Sequence, residues 1–392
     1  MINKLFLNFL ALLFHFVPRN KNLWLTGKIS GWEYTNNPPA FFDNSKYFFL
    51  YLLNNTDEKV YWLSSSKAEI EKLTSMGLPV VRFPSLKGVY LLLRAKYTFH
   101  HYGPDQLNHI LQRNAIQIDF WHGTPLKKIR YDVVQKPHPR NNLLLSLLKK
   151  GGKEYVASTS KYLSKTILCH AFDVSEDRML NFGYPRMDVL GLTKSENIEF
   201  CRKYSSELLK YIDLAKEYKT VFLYMPTYRD DDDDYFNKVD IDYDLLNSRL
   251  EEMHAVMFIK LHPLTKGANF EGFKNIVQIN NDVDIYPFLV YTDYLITDYS
   301  SIYFDYLVLN KEIIFIPYDL DKYTETRKLY FDYNQMTPGI KYKSFGDFIE
   351  NLDGVAKLDY GVERERVRKI LFDDYQYDAC ERTYKYFIGE DY

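Results

Sequence analysis

Asp119-Phe120-Trp121-His122-Gly123-Thr124-Pro125-Leu126-Lys127-Lys128-Ile129 decides how this chain is read. It follows Ala115–Ile118, a mostly apolar run with the look of a buried strand. The run breaks at Gly123 and restarts with Pro125 and two lysines, a pattern that predicts a helix entry. A histidine then stands at the carboxyl end of a strand, where open α/β sheets bind ligands. A helix N-terminus beside it would favour phosphate. A loop histidine with no role beyond capping has the same local pattern.

Two further stretches have the same character. Val256–Leu261 is a β-type run that ends in His262-Pro263, and Asp293–Thr297 runs into Asp298-Tyr299-Ser300-Ser301 and then a helical segment. Working outward, β-type runs recur at 22–26, 59–63, 79–83, 97–101, 116–120, 154–158 and 179–182. A second set lies at 220–225, 256–261, 276–279, 294–297 and 312–316. Helix-length segments separate them, which argues for βαβ units and parallel sheets. Leu190–Lys219, polar and helical, reads as the link into a second domain. The length of 392 residues fits two domains, expected at 1–189 and 190–363.

Composition excludes more than it identifies. The net charge of -2 gives no case for nucleic acid as a partner. Neither GxGxxG nor a P-loop is present. Cys169, Cys201 and Cys380 lack metal-ligand spacing and read as reduced thiols. The acidic run Asp230–Asp234 reads as a solvated loop, so no metal and no cofactor are expected. Leu5–Val17 is apolar and flanked by Lys4, Arg19 and Lys21. It is too short for a spanning helix, which needs ~20 residues. It fits an interfacial helix or one docked on a core.

The polar residues at the strand ends suit phosphoryl-centre chemistry. An acceptor hydroxyl needs a base, and His122 and His262 are side chains suited to that near neutral pH. Ser300 and Ser301 at a helix start fit an anion or simple capping. Asp305 fits a ribose diol or a plain surface aspartate. Arg229 fits a phosphate or the adjacent acidic loop. Arg186 and Asp188 fit a local ion pair, Asp43 or Asn44 a helix cap, and one of His100 and His101 should point inward.

Trp121–Lys127, Pro226-Thr227-Tyr228-Arg229-Asp230, Leu261-His262-Pro263 and Thr297–Ser301 with Phe304-Asp305-Tyr306 together resemble the CDP-glycerol glycerophosphotransferase family. Phe42–Tyr47 and Tyr330–Tyr333 with Pro338-Gly339 extend the resemblance from about residue 22 to about 340. Met187 departs from it, since the family usually has Asn in that turn. The resemblance implies a GT-B-like α/β enzyme, with two Rossmann-like domains whose parallel sheets face an interdomain cleft, and with helices at 364–392 packing back toward the first domain. Standing at strand ends in different halves, His122 and His262 are expected to face each other across that cleft. It would transfer glycerol phosphate or ribitol phosphate from a CDP-activated donor to a lipid-linked or polymeric acceptor, in teichoic acid or capsular polymer synthesis. It implies His122 as base, and His262 with Thr297, Ser300 and Ser301 on the diphosphate. Arg229 and Arg327 are implied phosphate partners, Asp305 the ribose ligand, and Asn44, Ser45, Lys46 and Lys127 the acceptor contacts. A cytoplasmic enzyme, peripheral on the inner face of the bacterial membrane, follows. The alternatives are a CMP-sialic acid-type GT-B polysialyltransferase and a non-catalytic polymer-binding protein.

Overall fold

The structure is a computed structural model that describes residues 17–29, 41–103, 106–108, 111–133, 153–228, 239–262, 265, 270–326 and 328–390. The apolar segment up to Phe16, Arg229, Arg327 and the run Asp230–Asp234 lie outside these residues.

The chain divides into two compact units. The first takes the chain up to His122, then Ile129–Gly191 and Phe372–Tyr392; the second takes Gly123–Lys128 and Leu192–Leu371. The break expected at 363/364 falls inside a helix, Gly361–Leu371. That helix stays with the second unit because Arg364, buried, pairs with Glu312 and bonds Asn310.

The first unit is built on β1 (Asn20–Lys28), β2 (Lys59–Ser64), β3 (Val80–Arg82), β4 (Ala95–His100), β5 (Ile116–Asp119), β6 (Glu154–Ala157) and β7 (Met179–Leu180). All pairings are parallel, in the order β3-β2-β1-β4-β5-β6-β7. The order reverses between β1 and β4, which makes that junction the switch point where a ligand crevice opens. Aromatic side chains fill the core under it. Trp24, fully buried, stacks on Tyr97 at 4.0 Å, and Phe48 meets Phe99 and Phe120 edge-on at 5.0 Å each. Phe48 comes from helix α1 (Asp43–Asn55).

The second unit holds β8 (Thr220–Tyr224), β9 (Ala255–Ile259), β10 (Ile276–Gln278), β11 (Tyr294–Thr297), β12 (Glu312–Phe315) and β13 (Ile340–Lys341), again all parallel, in the order β10-β9-β8-β11-β12-β13. All five residues of β9 are buried, as a parallel strand covered on both faces requires. Here the order reverses between β8 and β11. Twelve of these thirteen strands coincide with β-type runs in the sequence, and β13 does not.

One expectation fails at the opening motif. Among the described residues up to Val133 no α-helix follows Pro125; a short 3-10 turn forms at Arg130–Asp132. Residues 126–128 are instead extended. Lys127 bridges Leu329 in antiparallel fashion, Lys128 N–H donates to the Lys328 carbonyl at 2.8 Å, and Tyr330 N–H to Leu126 at 3.0 Å. A backbone satisfied by a distant segment gains nothing from coiling into a helix.

Candidate functional site

In the first unit the polar residues gather at the carboxyl ends of β4 and β5, whose last residues, His100 and Asp119, are in register. Asp119 is buried. Its carboxylate accepts from Trp121 N–H at 2.8 Å and from Arg130 at 3.2 Å, and lies 3.5 Å from His100. His100, Arg130 and the Trp121 N–H together hold it below the usual carboxylate range against the opposing cost of burial. Trp121 takes a left-handed conformation, φ +53°, as do Asp43 at +58° and Arg130 at +49°. Such backbone persists only where the surroundings over-determine it, and it gathers at ligand sites.

Helix α1 supplies that over-determination. Asp43 does not cap it: the N-cap is Phe42, which makes no side-chain cap bond. The three residues that follow each reach the histidine loops or their supports. Asp43 binds Arg186 at 2.8 Å. Asn44 donates to the Trp121 carbonyl at 2.8 Å and accepts from Arg186 N–H at 3.0 Å. Ser45 shares a 2.8 Å hydrogen bond with His101 Nδ1. Asn44, Ser45 and Lys46 are wholly buried. Lys46 lies over the rings of Phe41 and Tyr47. Arg186 therefore pairs with Asp43 and not with Asp188. Asp188 instead accepts from Tyr375 O–H, Ala379 N–H and Cys380 N–H.

His122 lies over this framework, its ring 3.8 Å from Trp121 and 5.6 Å from Tyr102. Its Nδ1 is 3.3 Å from the His101 carbonyl. A carbonyl only accepts, so Nδ1 carries the proton and Nε2 keeps a free lone pair. Burial lowers its proton affinity, with Asp43 opposing and Arg186 reinforcing that effect. The result is a neutral imidazole with an open acceptor nitrogen. His101 is buried too, and burial pushes its pKa down to about 4. Neither His100 nor His101 is exposed.

In the second unit the switch point between β8 and β11 is tied by Asp298, which the sequence reading passed over as a site residue. Its carboxylate accepts from Thr227 N–H at 2.8 Å, Thr227 O–H at 2.6 Å and Tyr299 N–H at 2.5 Å. Tyr333 O–H donates to its carbonyl. Thr297 is buried and donates to the Met225 carbonyl at 2.7 Å, so its hydroxyl is committed to the fold. Ser300 and Ser301 are half-buried, and their hydroxyls make no hydrogen bond among the described residues. The helix that follows, Ile302–Tyr306, has Ser301 as an N-cap without a side-chain bond. Asp305 is fully buried within that helix and accepts from Tyr286 O–H at 2.6 Å. The carboxylate is thus held inside the unit by Tyr286.

His262 follows β9, stacked on Tyr228 at 4.7 Å. Desolvation, then Lys260 and Lys127, lower its pKa to about 4, although its ring remains open to solvent, which damps the effect. Lys260 donates to the Asn281 carbonyl at 2.7 Å, and its own pKa falls to about 8 through burial. Lys127, expected on the acceptor side, belongs to this second unit, with its ammonium 5.9 Å from the Tyr323 ring. The antiparallel bridge to Leu329 places it there. Lys127, Lys260 and His262 thus form a set able to hold an anion.

Two all-parallel α/β units, each with its polar residues at a switch point, make a GT-B-like α/β fold. A family model described as CDP-glycerol:poly(glycerophosphate) glycerophosphotransferase matches residues 15–380, and the chain belongs to that family of enzymes. It is 31% identical over 330 residues to a teichoic acid glycerol-phosphate transferase of Staphylococcus aureus (strain NCTC 8325 / PS 47), covering 82% of this chain and 80% of that one. It is 32% identical over 260 residues to a teichoic acid poly(glycerol phosphate) polymerase of Staphylococcus epidermidis (strain ATCC 35984 / DSM 28319 / BCRC 17069 / CCUG 31568 / BM 3577 / RP62A). That match covers 63% of this chain but only 35% of the longer polymerase. The fold is shared with the wall teichoic acid polymerase TagF, at TM-score 0.74 and 22% identity over 98% of this chain and 93% of that one.

Proposed function

We propose that this protein transfers glycerol phosphate, or ribitol phosphate, from its CDP-activated donor to a hydroxyl of a lipid-linked or polymeric acceptor, releasing CMP, in teichoic acid or capsular polymer synthesis. The single observation that carries the reading is the tautomer of His122, whose Nδ1 is occupied by the His101 carbonyl while Nε2 is free. Nε2 takes the proton of the acceptor hydroxyl as its oxygen attacks the polyol-side phosphorus. The new P–O bond forms, the P–O bond to CMP breaks, and CMP leaves with the electron pair. CMP departs as a phosphate anion and needs little proton help, so the remaining task is to hold negative charge.

His262 with Lys260 and Lys127 suits that task, as do the uncommitted hydroxyls of Ser300 and Ser301. Arg229 and Arg327 remain proposed phosphate partners on the resemblance alone. No resident cofactor is invoked. Peripheral contact with the inner face of a bacterial membrane is part of the proposal, carried by the apolar Leu5–Val17 and its basic flanks. Among the described residues no helix is long and apolar enough to cross a membrane.

The test is direct. Purified protein incubated with CDP-glycerol or CDP-ribitol and a polyol-phosphate-primed acceptor should release CMP in proportion to acceptor consumed. Equal CMP release with and without acceptor would overturn the transferase reading. Release from CMP-sialic acid, and not from the CDP-polyols, would favour the sialyltransferase alternative.

A further inference from the structure

Asp43 and Arg186 form a buried ion pair that does more than fill space. Its two members come from distant parts of the chain, and both are joined to the His122 loop through Asn44, the neighbour of Asp43 and the acceptor of the Arg186 N–H. The residue after Asp43, Asn44, holds the Trp121 carbonyl through its Nδ2 and receives the Arg186 backbone N–H at its Oδ1. Ser45 then fixes His101 Nδ1, and the His101 carbonyl fixes His122 Nδ1. Every bond in this chain of contacts lies in the first unit. Asp43 also holds an unfavourable φ of +58° to keep its carboxylate there.

We infer that Asp43 and Arg186 are positioning residues for the transfer reaction, setting the orientation of His122 and how readily it accepts a proton. This rests on the reading of His122 as the base. The physical reason is that the ring must be neutral at rest and cationic after proton uptake. Arg186 opposes a second positive charge beside it and keeps the resting ring neutral. Asp43 offsets the cost of the imidazolium once it forms, since a buried cation without a counter-charge is expensive. A carboxylate and a guanidinium joined to each other act on the histidine with opposite signs. The other charged or titratable groups facing His122 are Asp119 at the end of β5, Arg130 on Asp119, His100 and His101 at the end of β4, and Tyr102 beyond them. Of these, His101 and Tyr102 also feel the pair, so the His101 ring is followed beside that of His122.

The test reads opposite signs from one ion pair. Asp43→Asn is expected to move the titration of the His122 ring, followed by NMR in the full chain and assigned by comparison with His122→Gln, to lower pH. Arg186→Gln is expected to move it to higher pH. The acid limb of kcat/KM should follow each shift. Asp43→Asn should lower kcat roughly 10- to 100-fold, a part of what a general base supplies, with donor KM little changed. Arg186→Lys should restore the native titration. Because Arg186→Gln strands a buried carboxylate and can unfold the protein, the charge-free double variant Asp43→Asn with Arg186→Gln serves as a second measurement. Its His122 titration should fall between those of the single variants, or between that of Asp43→Asn and the native protein if Arg186→Gln does not fold. Shifts of the same sign in both single variants, or folded variants with the native His122 titration, overturn the inference. If His122→Gln itself leaves turnover intact, the base assignment fails instead, and the titration shifts stand apart from that outcome.

Discussion

His122 and His262 look alike in the sequence, each at the end of a β-type run, yet their surroundings give them different chemistry. His122 has one nitrogen committed to a carbonyl and a carboxylate near enough to favour its cation. His262 is stacked on Tyr228 with two lysines near it and no carboxylate among its perturbing groups. His122→Ala is therefore expected to lower turnover by roughly 10²–10⁴-fold, the usual worth of a general base, with donor affinity kept. Steady-state kinetics with CDP-glycerol would reveal the opposite pattern if His122 were a phosphate ligand. A stability prediction belongs at this scale too. His101 titrates at about 4 in the folded protein against an ordinary 6.5. The unfolded chain therefore binds more protons between those values. Its contribution is full above pH 6.5 and is lost as pH falls toward 4, with a slope of up to about 1.4 kcal/mol per pH unit. His262 adds less, being open to solvent. Urea midpoints at pH 7.5, 6 and 5 should fall in that order, and the fall should be shallower in His101→Gln.

Elements explain which residues the sequence could and could not assign. The strand ends were legible because a β-type run followed by polar residues is a local pattern, and His122, His262 and the Ser300-Ser301 pair lie directly on it. Asp298 was visible in its motif, but its role was not, because Thr227 lies on another strand and only the β8–β11 pairing brings them together. The burial of Asn44, Ser45 and Asp305 was hidden for the same reason: short polar side chains near a helix look exposed until their distant partners are known. β13, two residues long, carries no periodicity to read. The helix expected after Pro125 failed because its competitor, Leu329, is two hundred residues away. Two predictions follow from these elements. Asp298→Ala removes three hydrogen bonds from a carboxylate that is 1% exposed. It is expected to cost roughly 2–4 kcal/mol, measured by denaturant unfolding, while Asp298→Asn should cost less because one acceptor oxygen survives. Ser300→Ala with Ser301→Ala breaks no hydrogen bond in the fold. It should leave the melting temperature near native and weaken CDP-glycerol binding by calorimetry; unchanged affinity would remove the serines from the donor site.

At the scale of the whole molecule, the composition and strand count already implied two α/β halves, and the two sheets bear that out. Neither unit is continuous in sequence, and the passage of Gly123–Lys128 into the second has no local signal to announce it. The first is completed by the helix Ala379–Ile388, whose own N-cap residue, Asp378, makes no side-chain cap bond. Asp188 supplies it from the turn after β7, taking Ala379 and Cys380 N–H. Gly183 and Gly191 flank that turn, and a Cβ on either would come within 2.6 Å of Tyr375 or Tyr377. Gly191→Ala should therefore loosen the terminal segment, visible as faster amide exchange in Ala379–Ile388 and in β1, with β9 unaffected. Protection lost equally in β9 would mean global destabilisation.

That closing helix also fixes an order of events during synthesis. Phe387 packs on Trp24 and Tyr97, and Tyr97 O–H donates to its carbonyl. A ribosome that has finished Gly191 must still make all of Leu192–Leu371 before those rings can be covered. At ~5–20 residues per second that is a delay of roughly 10–40 seconds. Through it the nascent chain carries an open aromatic face on β1 and β4, while the second unit's later-made sheet can close as soon as it emerges. The half that is translated first is thus finished last, and its uncovered face is where a chaperone would find purchase on this chain.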